Sequence, residues 1–241
     1  MDSACKKVCW AATAPNFARK AVNFCGNFLQ EPANVRFGAL DQRTRSLKFQ
    51  QNFCVVDSSL RLLWVGGDWD DFALSNGGAA CIANSVLSTP LTAHITDVRT
   101  ADAVAEMVRA VLDLQRPLKF EYRCDSPAEI RRFRMTIQPM KDGRALMVHD
   151  LRDAEMIPVP LVPWRFDPTA DALKCSMCCS VSVGSDWVDP VELGPDHPSD
   201  VAFTLCPACG GRIDHAIAAT QSGTDSAGMQ DVLPDSGFAQ D

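Results

Sequence analysis

The chain has 241 residues, of which 46% are hydrophobic and 22% are charged, and its formal net charge is −7. These are ordinary values for a soluble globular protein of one or two domains. No apolar run approaches the roughly 18 residues of a membrane-spanning helix, and the first 30 residues do not look like a secretory signal. We therefore expect a cytoplasmic protein whose 11 cysteines are reduced thiols, available for metal binding or redox chemistry.

Charge is spread unevenly along the chain. Residues 1–48 hold eight Lys/Arg and three Asp/Glu, whereas residues 159–216 hold three and eight. A nucleic-acid-binding module needs a basic face against phosphate. The acidic C-terminal part therefore disfavours nucleic acid as a partner, and the N-terminal segment is the part that could attract a polyanion.

Residues 1–46 show no clear hydrophobic period, so we predict a loosely ordered N-terminal extension. One short helix is expected around Ala18–Leu29. Its Phe17, Phe24 and Phe28 side chains are candidates for docking on the next domain.

A clearer pattern begins near residue 47. Gln51–Val56 and Leu60–Val65 are β-rich runs separated by a turn, which predicts a hairpin. A helix is expected over Asp68–Ser75, because Trp69, Phe72 and Ala73 recur at helical spacing, and the following Asn-Gly-Gly is a typical helix stop.

The strongest helix prediction is Thr100–Gln115, with Thr100 as its N-cap. Its apolar residues form one stripe: Val104, Met107, Val108, Val111 and Leu112. Strands are then expected over Leu118–Cys124, Arg132–Gln138 and Arg144–Leu151. Apolar and polar residues alternate along the first two, which indicates an antiparallel sheet with one wet face.

The remaining chain divides by composition. Residues 157–172 contain four prolines and predict a stiff linker. Residues 173–216 hold two cysteine pairs and form a candidate module, and residues 217–241 turn to Ser, Gly, Asp and Gln, which predicts a disordered tail. The sequence thus predicts an α+β protein in which a five-stranded antiparallel sheet, with helices on one face, occupies residues 47–156.

The two cysteine pairs are Cys175-x-x-Cys178 and Cys206-x-x-Cys209. Two-residue spacing lets a tight turn aim both thiolates at one ion, and two such turns complete a tetrahedral four-sulfur shell that is typical of structural zinc. Such a shell has no open position for water or substrate. The motif therefore predicts a zinc centre that stabilises a fold and argues against a zinc hydrolase.

Other interpretations of these cysteines remain open. The thiols can be apolar core residues. Cys179, next to Cys178, can act as a spare thiol in a redox switch. His215 follows Cys209 closely enough to replace one of the sulfur ligands.

The order of elements over residues 50–153 resembles that of a bacterial PAS domain, a small sensory fold with a five-stranded sheet. The resemblance rests on three stretches: Leu62–Val65 before Trp69–Gly78, Tyr122–Pro127, and Arg132–Met135. Gly67 stands where the family pattern usually has Asn. The resemblance implies a domain that senses a small ligand or mediates dimerisation.

The cysteine module resembles a zinc-ribbon-like tail that follows some bacterial PAS domains. The matching residues are Cys175, Cys178, Val181, Trp187, Val191, Glu192, Cys206, Pro207 and Cys209. Cys179 replaces a usual base, and Phe203-Thr204-Leu205 replaces Ser-His-Gly. Both departures spare the four sulfurs.

His94 is the candidate haem ligand, because haem-binding PAS domains place an axial histidine on that side of the long helix. No other haem signal accompanies it, so we expect a surface or loop imidazole, and His149 is expected to be a sheet residue. Cys81 lacks the surroundings of a flavin photosensor, so we expect neither haem nor flavin. Trp64, Trp69 and Phe72 are predicted to close a pocket between sheet and helices.

Enzyme signatures such as a phosphate-binding glycine loop or a nucleophile elbow are not found in the sequence. We therefore expect a non-enzymatic sensory or regulatory protein, in which the PAS-like domain senses a ligand or mediates dimerisation and the zinc module presents a docking surface to a protein partner. The alternatives are a redox or haem-based gas sensor and a transcriptional co-regulator that uses the basic N-terminal segment.

Overall fold

The computed structural model describes residues 51–223, so the predictions for residues 1–46 and most of the predicted tail lie outside it. The described residues contain ten strands: β1 Gln51–Val56, β2 Leu62–Gly67, β3 Leu118–Arg123, β4 Glu129–Met140, β5 Arg144–Met156, β6 Arg165–Phe166, β7 Leu173–Cys175, β8 Val181–Val183, β9 Asp186–Val188 and β10 Asp200–Thr204. The α-helices are α1 Trp69–Ser75, α2 Ala83–Val86, α3 Val98–Leu114, α4 Pro190–Leu193 and α5 Pro207–Ser222.

The first five strands form an antiparallel sheet in the order β2-β1-β5-β4-β3. Because side chains alternate along each strand, Cys54, Met147, Ile137 and Leu118 lie side by side on one face, and all four are buried. We call this the inner face. Helix α3 packs against it and fills the core. The predicted mixed α/β fold with a five-stranded antiparallel sheet is thus observed.

Strands β4 and β5 are longer than predicted. They continue to pair beyond the expected ends, with Ile130 opposite Glu155 and Arg132 opposite Asp153. These extensions carry charged residues on both strands, including an ion pair of 2.6 Å between Arg132 and Asp153. Alternation of apolar and polar residues is lost there, which is why the sequence pattern ended early.

Helix α3 begins two residues before its predicted start. The Asp97 carboxylate accepts hydrogen bonds from the backbone N–H groups of Arg99 and Thr100, at 3.3 and 2.8 Å, so Asp97 is the N-cap. The predicted cap, Thr100, lies inside the first turn, where its hydroxyl donates to Asp97 at 2.7 Å. The prediction of Thr100 as N-cap is therefore wrong, because the carboxylate of Asp97, the residue just before the helix, accepts from the free amides of the first turn.

Gly67 ends β2 in a left-handed conformation with φ +70°. A Cβ atom at this position would lie 2.3 Å from the carbonyl oxygen of Gln51 on the neighbouring strand. That contact excludes the Asn of the family pattern, because the two backbones approach too closely for any side chain.

Residues 157–223 form a second, smaller sheet in the order β6-β10-β7-β8-β9, in which β10 runs parallel to β6 and β7. The segment predicted as a linker is part of this unit. Ile157, Leu161 and Trp164 are buried in its core, and Arg165–Phe166 forms a strand. This proline-rich segment is therefore packed rather than extended as a linker, because its apolar residues at 157, 161 and 164 are buried in the core of the second unit.

Helix α5 continues to Ser222, six residues into the predicted tail. It packs against α3 and β3, and Arg116 donates a hydrogen bond to the carbonyl oxygen of Gln221 at 3.0 Å. Its Ile213 and Ala216 belong to the same buried cluster as the core of the first sheet. The cysteine module is therefore joined to the sheet by a shared core. None of the helices within residues 51–223 has both the length and the apolar character to cross a membrane.

Replacement of Asp97 tests its assignment as the N-cap of α3. Asp97→Ala should lower the free energy of unfolding by about 1 kcal/mol, because two amides at the start of α3 lose their acceptor. Asp102→Ala, on the exposed side of the same helix, is the control and should change it by less than about 0.5 kcal/mol. Urea denaturation followed by circular dichroism measures both. Equal effects of the two substitutions would contradict the Asp97 cap.

Candidate metal centre and adjoining cavity

The structure brings together the four cysteines that the sequence singled out. The Sγ atoms of Cys175, Cys178, Cys206 and Cys209 all lie within 4.8 Å of one another. Three of these residues are buried and Cys178 is half-buried. The side chains come from two segments more than 25 residues apart, so the cluster ties the end of β7 to the start of α5.

Local backbone structure aims each pair of thiols at the same point. Cys175 ends β7, and the chain then turns so that the N–H of Met177 donates to Cys175 Sγ at 3.4 Å. Cys206 is the N-cap of α5, and its Sγ accepts from the N–H of Cys209 at 3.4 Å. Cys206 N–H donates to Cys175 Sγ at 3.4 Å and links the two turns. Amide donors of this kind stabilise thiolate ligands and fix their direction.

The donor set and its spacing fit a tetrahedral metal ion. Zinc–sulfur bonds of about 2.3 Å in a regular tetrahedron place neighbouring sulfurs about 3.8 Å apart. Cys178 Sγ and Cys206 Sγ are 3.8 Å apart. Four thiolate ligands complete the shell, so an ion held here would have no position for substrate and would act on the fold.

Electrostatics also favour a cation at this point. The hydrogen bond with Cys178 lowers the pKa of the Cys175 thiol to about 7, and the bond with Cys175 lowers that of Cys206 to about 7. Contact with the same Cys175 sulfur raises the pKa of Cys209. Hydrogen bonds among the four sulfurs therefore favour ionisation of some and oppose ionisation of the last, and a bound dication would stabilise all four as thiolates.

The cluster is anchored on β3, the edge strand of the first sheet. Arg123, the last residue of β3, donates its backbone N–H to the carbonyl oxygen of Met177 at 2.7 Å. On the other side of the cluster, Arg212 donates to the carbonyl oxygen of Glu121 at 2.8 Å and lies 4.0 Å from Cys209 Sγ. Backbone groups that an edge strand would otherwise expose are thus used to hold the cysteine turns.

The side chain of Arg123 strengthens this anchor. Only 6% of the residue is exposed, and its guanidinium pairs with Asp125 at 2.5 Å and also with Asp189, just before α4. Burial opposes the charge, but the two carboxylates outweigh it and raise the pKa of Arg123 above its ordinary value. Spacing along the sequence does not reveal this anchoring role of Arg123, because one of its two partners, Asp189, lies 66 positions away in the chain.

Two other residues that the sequence proposed for the metal or redox site, Cys179 and His215, are not members of the sulfur cluster. Cys179 is buried beside the cluster with its Sγ directed at the carbonyl oxygen of Arg123, 3.6 Å away, and burial raises the pKa of its thiol to about 12. His215 is exposed on α5. Neither belongs to the group of potential ligands found within residues 51–223.

A cavity lies between the inner face of the first sheet and helix α1. Most of its wall is apolar or aromatic, and it also contains three thiols. The lining residues are Asn52, Cys54, Trp69, Phe72, Ala73, Cys81, Leu91, Tyr122, Cys124, Phe133 and His149. Among residues 51–223, none in this wall carries a charge at neutral pH, since burial lowers the pKa of His149 to about 3.

Three polar side chains face this cavity. The Tyr122 hydroxyl and His149 Nδ1 are 3.1 Å apart and hydrogen-bonded. Asn52, which is 8% exposed, has an Oδ1 atom with no hydrogen-bond partner among the residues that the structure describes. A buried amide oxygen without a partner costs free energy, which makes this position a candidate for contact with a ligand or a water molecule.

The histidine and tryptophan predictions are corrected in part. His94 is 3% exposed, and its Nε2 lies 2.5 Å from the hydroxyl of Thr89, so the expected surface or loop imidazole is a buried one. His94 does not line the cavity, whereas His149 does.

Trp69 and Phe72 line the pocket as predicted, but Trp64 points to the opposite face of the sheet and is 63% exposed. The side-chain alternation in β2 places it there.

Comparison with known proteins gives little further information. No family model and no curated protein matches the sequence. The structure is similar to a crystal structure of a domain of an HTR-like protein from Haloarcula marismortui. The sequence identity is 12%, the match covers 43% of this chain and 98% of that chain, and the TM-score is 0.33. A TM-score of this size does not establish a shared fold.

The charge state of His149 can be measured directly. An unperturbed histidine with a pKa near 6.5 would titrate between pH 8 and pH 5, but we expect the imidazole of His149 to stay neutral over that range because burial lowers its pKa to about 3. NMR of the ring carbon resonances reports this, and the spectrum of His149→Gln identifies the signal. A titration midpoint above pH 5 would contradict the lowered pKa.

Proposed function

We propose that this chain is a non-enzymatic sensory or regulatory protein, in which a PAS-like domain binds a small neutral ligand and a structural zinc centre holds the C-terminal module on that domain. The observation that carries the ligand proposal is the buried Asn52 Oδ1 atom in the cavity wall, which has no hydrogen-bond partner within residues 51–223. Signal output would pass to a protein partner or to a second copy of the chain in the cytoplasm.

The cavity favours a neutral ligand that donates a hydrogen bond. A charged molecule would lose its hydration without meeting an opposite charge, because the lining residues that the structure describes carry none. Asn52 Oδ1 offers an acceptor, and the flat side chains of Trp69 and Phe72 suit an aromatic ring. The residue predicted as an axial haem ligand, His94, lies outside the cavity wall. His149 lies in the wall, but its Nδ1 atom is hydrogen-bonded to the Tyr122 hydroxyl. These properties disfavour haem.

Pyrrole and furan provide a matched pair of probes. The two rings have nearly the same shape, but only pyrrole has an N–H donor for Asn52 Oδ1. We expect pyrrole to bind at least about fivefold more tightly than furan, since a single hydrogen bond contributes roughly 1 kcal/mol. Chemical-shift perturbation of the Trp69 indole N–H measures both affinities, and Asn52→Leu should abolish the difference. Equal binding of the two rings by the unaltered protein, or no binding of either, would contradict the ligand proposal.

Zinc is the ion that the four sulfurs suit best, because four thiolates in a tetrahedron are its usual structural ligands. The remaining redox alternative is disfavoured by Cys179, the proposed spare thiol, whose raised pKa keeps it protonated. The zinc centre would replace a large hydrophobic core, since the strands of the second sheet have only two to five residues.

Adjacent cysteines allow a sharp test of the zinc site. We expect the purified protein to hold about one zinc ion per chain. Cys178→Ser should lose most of the zinc, and Cys179→Ser, one residue further along, should retain it because that thiol points away from the cluster. Elemental analysis of each variant measures the content. Zinc loss in both variants to the same degree, or in neither, would contradict the assigned ligand set.

A further inference from the structure

The outer face of the first sheet carries an apolar patch that residues 51–223 leave partly open. Val55 is paired with Trp64 on one side and with Leu146 on the other, and Phe53 is paired with Val148. We call these five residues the outer patch. Trp64 is exposed, its ring meets the Phe53 ring edge-to-face at 6.0 Å, and Phe53, Leu146 and Val148 are half-buried.

A patch of this kind marks a contact surface. Isolated exposed apolar residues are common in proteins, but contiguous apolar surface on a sheet face usually packs against another element. The inner face is already covered by α3 and by the cavity-lining residues of α1. A two-layer domain with helices on one side therefore still has a sheet face to cover.

The chain itself contains a segment that fits this face. Phe17, Ala21, Phe24 and Phe28 recur at intervals of four, three and four residues, which places them on one stripe of a helix. The opposite side of the same helix would carry Arg19, Asn23 and Gly26. A short amphipathic helix with three phenylalanines on one side is marginal alone in water and gains stability when that side packs.

Chain connectivity places this segment close to the patch. Residues 30–50 connect it to β1, and β1 contributes Phe53 and Val55 to the patch itself. Twenty-one residues span at most about 70 Å, far more than the distance across one sheet. Covalent attachment keeps the segment near this face, which favours a contact within the chain over association with another molecule.

Charge also favours this occupant. Residues 1–48 hold eight Lys/Arg against three Asp/Glu. The start of β1, where the linker enters the sheet, is flanked by two carboxylates: Asp150 accepts from the Gln51 side chain at 2.5 Å, and Asp68 accepts from the Gln51 backbone at 3.3 Å. A basic segment therefore approaches an acidic border, which adds long-range attraction to the apolar contact.

We propose that residues 17–29 form an amphipathic helix that docks, through Phe17, Phe24 and Phe28, on the outer patch of the same chain. The contact gives the basic N-terminal segment a defined position on the face of the sheet opposite to the cavity. It is independent of whether the cavity binds a ligand and whether the cysteines bind zinc.

Photo-crosslinking in the full-length protein tests the contact. Trp64, which is largely exposed, is replaced by p-benzoylphenylalanine, and the crosslinked peptides are identified by mass spectrometry. We expect crosslinks from position 64 to residues 17–29. A mixture of ¹⁴N- and ¹⁵N-labelled protein separates the two possible origins, because crosslinks within one chain carry a single label. The same photo-reactive residue in place of Lys119, an exposed residue of the other edge strand, measures the background.

Two matched double variants separate packing from charge. Phe24→Asp/Phe28→Asp places two carboxylates on the apolar stripe, and Asn23→Asp/Gly26→Asp places two on the opposite side of the helix. We expect the first pair to reduce the yield of crosslinks from position 64 by about tenfold or more, and the second to leave it within about twofold. Both double variants leave residues 51–223 unchanged, so a difference in yield between them reports on the N-terminal segment.

Three results would overturn the proposal. Crosslinks that carry mixed labels would show that a second copy covers the patch. A yield from position 64 no greater than that from position 119 would show that residues 17–29 do not dock there. An equal loss of yield in the two double variants would show that charge, and not the phenylalanine stripe, determines the contact.

Discussion

The convergence of four cysteine sulfurs at one point is the constraint on which the C-terminal third of the protein depends. The second sheet has strands of two to five residues, and its separate core is built from a few side chains such as Trp164, Val181 and Phe203. So little apolar area cannot offset the conformational entropy of some 65 residues. Structural zinc contributes about 10–16 kcal/mol in small zinc-binding peptides, a free energy large enough to make up such a deficit.

The same sulfurs also determine where the module lies. Cys175, Cys206 and Cys209 belong to the buried cluster that contains the core of the first sheet, and the helix that begins at Cys206 packs against α3 and β3. Arg123 then joins the two parts through its backbone and through two carboxylates. A buried arginine with both partners present is tolerated, but removal of one partner leaves a charge without compensation. The junction is therefore specific as well as tight.

Much of this arrangement could be predicted from the sequence, because the signals are local. Strict alternation in Leu118–Arg123 and the apolar stripe of Val98–Leu114 depend only on spacing along the chain, and so does the pairing of thiols within each C-x-x-C turn. The predicted bounds failed where the pattern was interrupted by charge, as in the extended ends of β4 and β5, or where a cap one turn earlier was better placed, as at Asp97.

The features that escaped prediction depend on contacts between distant parts of the chain. Residues 157–172 looked like a linker because four prolines dominate the composition, but Trp164 is buried against residues that come later in the sequence. His149 looked like an ordinary strand residue, and only its register opposite Asn52 brings it to the cavity. Spacing cannot reveal such partners, because the pairing of strands is decided by the whole sheet.

Strand β3 belongs to both halves of the molecule at once. Its Tyr122 forms part of the cavity wall, while the next residue, Arg123, holds the turn between the first two cysteines. Thermodynamic reciprocity then applies. If a molecule in the cavity shifts this strand and thereby changes the affinity of the four sulfurs for a metal ion, loss of that ion would change the affinity of the cavity for the molecule by the same factor.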